Sequence, residues 1–150
     1  MPNTIFNQGK TGMSTKPELP EKVIEAFHMM WGNFPEPVTL VHKSFYVMAL
    51  NKACAKSGVL EPGMKCNKIG RPQDHAGCLA QKAVASGQTM FCYNRRDDRD
   101  QIGYWIPLEE YPEFYIHFGI GQTIDYKTMT ARPIALQMDT AGEAVCQGLP

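Results

Sequence analysis

Three residues near the middle of the chain carry side chains suited to chemistry: Cys66, His75 and Cys78. Eight residues separate Cys66 from His75, and two separate His75 from Cys78. Two thiols and an imidazole form a donor set that suits zinc or an iron–sulfur cluster. The shorter spacing predicts that His75 and Cys78 lie one turn apart on the same face of a helix. Placed at that helix N-terminus, Cys78 would be favoured as a thiolate. A closed structural site takes a fourth ligand, and Cys92, on the strand after the helix, is the candidate. The expected metal set is thus Cys66, His75, Cys78 and Cys92, and His75 is also the expected cofactor ligand. Other readings of the same residues stand beside it. Free cysteines often only pack. Cys78 with His75 nearby is also a candidate nucleophile and base, without a visible third orienting group.

Haem is a second cofactor expectation, behind zinc or iron–sulfur, with His75, His117 or His42 as the axial ligand. The chain holds no Cys-x-x-Cys-His, which excludes covalent c-type attachment as a motif. Strand alternation puts His117 on one sheet face with Tyr115, opposite Phe114, Ile116 and Phe118. Gly119-Ile120-Gly121 lies inside a strand and ahead of no helix, so it is not a phosphate loop. No Ser-His-Asp order, kinase signature or paired-carboxylate motif stands out, and no enzyme is expected. The alternatives are a small thiol- or metal-dependent enzyme using Cys78 and His75, or an empty structural interaction domain.

The elements that must position these residues follow from periodicity. After Pro20, Val23, Ile24, Phe27, Met30, Trp31 and Phe34 recur at helical spacing, and Pro35 and Pro37 end the helix. Its apolar face calls for a partner, either the body of the domain or a second copy of the chain. Val38 to His42 and Phe45 to Leu50 read as strands joined at Lys43-Ser44. Asn51 caps a short helix closed by Gly58. Asp74 is expected to cap a longer helix from His75 to Ser86, with Leu79, Ala83 and Val84 inward. Thr89 to Tyr93, Ile102 to Leu108 and Phe114 to Ile124 read as three further strands. The charged run Asn94 to Asp100 reads as a solvated turn between two of them. Strands segregated from helices argue an α+β domain: a five-stranded antiparallel sheet, helices over one face, and a pocket between.

The 150 residues suit one domain. The expected layout is a flexible lead-in over 1–19, the domain over 20–126, and a tail over 127–150. Fifteen basic residues balance fifteen acidic ones, so charge gives no case for nucleic acid or an anionic membrane. No apolar run approaches a membrane span, and residues 1–16 lack the apolar core of a signal peptide. The expectation is a cytoplasmic protein. In a reducing compartment, its five cysteines predict no disulfide framework.

The order of elements resembles the PAS family. Three stretches carry the likeness. The first runs from Phe34-Pro35-Glu36-Pro37-Val38 to Asn51-Lys52-Ala53. The second is Gly58 followed by Glu61-Pro62-Gly63-Met64-Lys65-Cys66. The third ends in Gly119-Ile120-Gly121-Gln122-Thr123-Ile124-Asp125, similar to the last PAS strand and its exit. The Cys66 region also resembles a PAS subgroup with a Cys…Cys-x-x-Cys pattern, with His75 at the middle Cys position and Leu79 where a Pro often follows. A flavin photosensor's reactive Cys is absent from Ile69 to Asp74. The resemblance implies a sensory and signalling module that binds a small ligand or a metal. It would relay its state through a homodimer formed by the N-terminal helix, or to a partner signalling protein. No output segment follows residue 126, so output is expected through another chain or from a larger protein.

Overall fold

The computed structural model describes residues 15–96, 98–128 and, for the backbone alone, 146–148. Of the expected lead-in and tail, residues 1–14, 129–145 and 149–150 lie outside the described residues.

Pro20 stands immediately before α1 (Glu21–Trp31). Phe27, 2% exposed, is the residue this helix drives into the core, and Ile24 and Trp31 pack beside it. Met30, expected inward, is 66% exposed, and Met29 is 81% exposed. At about 100° per residue the stripe through Ile24, Phe27 and Trp31 leaves Met30 at its edge.

β1 (Val38–His42), β2 (Val47–Leu50), β3 (Met90–Arg96), β4 (Arg99–Pro107), β5 (Phe114–Ile120) and β6 (Cys146–Gly148) form one sheet in the order β2-β1-β5-β4-β3-β6. All its pairings are antiparallel. β6 extends the expected five strands to six. It pairs with β3 and lies in the stretch read as tail. The charged run read as a turn is mostly strand, with Asn94 opposite Gln101 and Arg95 opposite Asp100. A hairpin with a wetted face accepts such side chains, and the Tyr93 hydroxyl donates to Asp100 Oδ1 at 2.6 Å.

Between β2 and β3 lie α2 (Lys52–Ser57), two 3-10 turns (Cys66–Lys68 and Pro72–His75) and α3 (Ala80–Ser86). The single helix expected from His75 to Ser86 is therefore broken. Asp74 Oδ2 accepts from the Arg71 N–H at 2.9 Å, closing the Pro72–His75 turn instead of capping α3. Gly77 lies in the break.

Alternation along the strands builds two cores, one on each sheet face. Phe114 and Ile116 join Phe27, Val38, Leu40 and Ala49 beneath α1. Tyr115 joins Val41, Trp105 and Met90 with Ala80 and Ala83 of α3. The α1 stripe of Ile24, Phe27 and Trp31 thus packs on the body of the domain. No described helix is long and apolar enough to cross a membrane.

Candidate functional site

Lys43 and Ser44 turn the chain from β1 toward β2, and Phe45 follows at φ 71°. A bulky side chain in the left-handed region is strained, a conformation that persists only where surrounding structure enforces it. Here the Phe45 N–H donates to His42 O at 2.7 Å, and Phe45 O accepts from the Cys66 N–H at 2.9 Å. This pins the first 3-10 turn to the β1–β2 turn. A cavity of about 590 Å³ opens between them, lined by Phe45, Cys66, Asn67, Gly70, His75 and Cys78 among others.

Cys66, His75 and Cys78 thus share one cavity, although on the broken segment rather than on a helix face. Cys66 is half-buried and Cys78 exposed, and both are free thiols. Tyr115, buried on β5, donates its hydroxyl to Cys66. Burial, with the neighbouring Cys78, pushes the Cys66 thiol pKa up. Burial, then Cys66 and Cys78, pushes that of the Tyr115 hydroxyl up. The His75 ring meets Ile69 O through Nε2 at 2.6 Å. A carbonyl oxygen only accepts, so Nε2 carries a proton in this contact. The link between His75 and Cys78 is a backbone one, Cys78 N–H to His75 O at 3.1 Å. It does not make a nucleophile–base pair.

Cys92, expected as the fourth ligand, does not line the cavity. It is disulfide-bonded and stands opposite Cys146 in the β3–β6 register. A disulfide sulfur offers no thiolate to a metal, and the bond departs from the reduced cysteines expected. Among the described residues, no group of three or more His, Cys, Asp or Glu is arranged to hold a metal ion. The other two haem candidates are engaged elsewhere. His42 Nδ1 lies 2.6 Å from Ser44 Oγ. His117 lies on the Tyr115 face as expected, stacks on Trp105 with ring centroids 4.7 Å apart, and donates from Nδ1 to Tyr104 O at 2.8 Å.

Asn67 was missed from the sequence. Its Oδ1 is buried in the cavity wall without a hydrogen-bond partner, and so is Nε1 of Trp105 in the core below. Buried polar atoms are rarely left so, because each costs about 1–3 kcal/mol. Asn67 is half-buried, and only the fold shows that its Oδ1 is enclosed, so no sequence pattern marks it.

A second polar centre also escaped notice. Glu36, fully buried between two prolines, accepts from the N–H of Gly121 and of Thr123, each at 2.9 Å, from the Ile124 N–H at 3.4 Å, and from the Tyr126 hydroxyl at 2.9 Å. The Tyr126 hydroxyl pKa is pushed up to about 12, by burial and by this bond. Gly121 sits at φ 86°, and an added Cβ would meet Asp100 O at 2.2 Å, so only glycine fits the exit of β5.

No family model matches the chain, and no curated protein matches it in sequence. Solved structures do match. A domain of an HTR-like protein from Haloarcula marismortui aligns at TM-score 0.49 and 13% identity, over 59% of this chain and 99% of its own. A sensory box sensor histidine kinase from Vibrio cholerae aligns at 0.48 and 13%, over 67% of this chain and 89% of its own. A phage VqmA–DPO complex aligns at 0.53 and 14%, over 69% of this chain and 54% of its own. The fold is PAS-like. The cavity of that PAS-like domain lies between the β1–β2 turn and the connection from Cys66 to α3, not between helix and sheet as expected, and Glu36 holds the segment leaving the last long strand.

Proposed function

We propose that this chain is a sensory module whose signal is a small molecule taken into the cavity beside Phe45. One observation carries the reading: the buried, unpartnered Oδ1 of Asn67 in the cavity wall. A ligand that donates a hydrogen bond to it would remove a cost the free protein bears. The strained Phe45 ring supplies an apolar surface beside it. The PAS-like fold and the likeness to the phage VqmA–DPO complex support the reading. Output would pass through protein contacts, with the exposed Met29 and Met30 of α1 as the surface for a second copy. Size-exclusion chromatography of Met30→Glu beside the parent tests this: a dimer that dissociates supports it, and a parent already monomeric at high concentration overturns it.

Zinc or iron at Cys66, His75 and Cys78 is a second reading. It is favoured by the His75 ring, whose Nε2–H is held by a backbone carbonyl in the manner of metal-ligating histidines. It requires the three side chains to close in from their present positions. Protein purified without an affinity tag separates the readings. Mass spectrometry of the denatured supernatant and elemental analysis are run on the same sample. A stoichiometric small molecule, absent from Asn67→Leu, supports the first. Stoichiometric metal, lost in Cys66→Ser and Cys78→Ser, would replace it. Protein that carries neither, and whose melting temperature no metabolite mixture or metal raises, would overturn both and leave an interaction domain.

A further inference from the structure

Of the nine residues around the cavity, Cys66, Asn67, Lys68, Gly70, Pro72, His75 and Cys78 come from one stretch, and Cys66 and Cys78 bound it. Both are free thiols open to the same cavity. The Cys66 end is fixed, through its N–H to Phe45 O and its sulfur to Tyr115. The Cys78 end is tied within the stretch itself, by its N–H to His75 O at 3.1 Å. It follows the exposed Ala76 and Gly77, and a Cβ built on Gly77 would meet nothing within 4 Å. The open space at Gly77 leaves room for a shift of Cys78 toward Cys66. Cys78 also contributes to raising the pKa of both Cys66 and Tyr115.

We propose that Cys66 and Cys78 form a reversible disulfide that turns the cavity wall into a closed ring and thereby sets access to the cavity by redox state. The accessible Cys78 sulfur reacts first with a peroxide. Its attack breaks the O–O bond, giving a sulfenic acid and one water from hydrogen peroxide. The Cys66 sulfur then attacks the sulfenic sulfur, the S–S bond forms, and a second water leaves. The two thiols lose two electrons and two protons in all, and the peroxide takes them up. A small dithiol restores both thiols by exchange. Cys78 is exposed and Cys66 half-buried, which sets this order. The ring holds Asn67 and His75 against a wall that can no longer open, so binding to the oxidised form slows or is lost. The disulfide at Cys92 involves neither of these cysteines, which are free.

The test uses the full chain, treated with stoichiometric hydrogen peroxide and mapped by proteolysis and mass spectrometry without reduction. The expected product is a peptide pair joined at Cys66 and Cys78, two hydrogens lighter than the separate peptides and released by dithiothreitol. In Cys66→Ser, dimedone traps a sulfenic acid on Cys78. In Cys78→Ser, Cys66 stays a thiol at the same dose. Peroxide that leaves both thiols intact, or links Cys78 only to another copy of the chain, overturns the proposal. So does a trapped sulfenic acid on Cys66 rather than Cys78. The mapping reads the bond itself and does not depend on what the cavity binds. Failure of the small-molecule reading would leave this result standing, and the reverse also holds.

Discussion

At the corner where α1 meets β1, buried polar groups are saturated; at the cavity they are not. Asn51, fully buried, accepts at Oδ1 from the N–H of Val38 and of Cys54, each at 2.9 Å. Its Nδ2 donates to Phe34 O at 3.1 Å and Glu36 O at 2.9 Å. Glu36 in turn takes up the exit of β5. Asn67 and Trp105, by contrast, each bury a polar atom without a partner, and Phe45 holds a strained backbone angle. Saturation is what holding a fold together demands. Unsatisfied groups and strain lower stability, and Asn67 and Phe45 place one of each in the wall of the cavity to which the proposed function assigns a ligand.

Substitutions at the two places should therefore behave oppositely. Glu36→Ala strands the donors of Gly121, Thr123 and Tyr126 and should cost about 3–5 kcal/mol in urea denaturation. A loss below about 1 kcal/mol would mean that the corner is wetter than its burial implies. Asn51→Ala removes a helix cap and a hub of carbonyl contacts, for about 2–3 kcal/mol. An unchanged urea midpoint would break the contrast from the same side.

Acid titration gives a smaller effect, centred on His117. Burial lowers its pKa below the ordinary 6.5, with the bond to Tyr104 O opposing. The unfolded chain then binds the proton more readily. Stability from this residue is complete above the unfolded pKa and is lost as pH falls from there through the lower folded value. His42, also lowered chiefly by burial, adds in the same direction. Melting temperatures should drop between pH 7 and pH 5, and His117→Phe should flatten the curve; an equal slope in that variant would count against it. The smallest effect belongs to the cavity: Asn67→Leu should leave the ligand-free protein between zero and about 1 kcal/mol more stable. If it is instead destabilised as Asn51→Ala is, Asn67 is structural and the contrast fails.

Much of the frame was legible because it is local. Asn51 and Gly58 announce α2 by side chain and backbone: Asn51 accepts from the Cys54 N–H, and Gly58 takes φ 65°. The alternation of β5 put Tyr115 and His117 on one face and Phe114 and Ile116 on the other, as the two cores confirm. What was not legible depends on distant partners. Asp74 looked like the cap of a long helix but serves Arg71. Arg95 and Asp100 looked like turn residues until pairing made them a ladder. Cys92 offered a thiol in sequence, but it is disulfide-bonded, and its register partner on β6 is more than fifty residues away. Cys66, His75 and Cys78 did come together at one cavity, for a reason other than helical spacing. Glu36, between its two prolines, read only as punctuation.

The Glu36 contacts also bear on how the domain assembles in time. They join residues 85 to 90 positions apart, whereas the turns around Phe45 and Asn51 are local. Closing so long a loop loses chain entropy before it gains contacts, so the exit of β5 docks late, after the folding barrier. A weakened Glu36 would then leave the folding rate nearly untouched and speed unfolding. The corner that saturates the buried polar groups would act as the catch that determines how long the folded domain lasts, rather than how fast it forms.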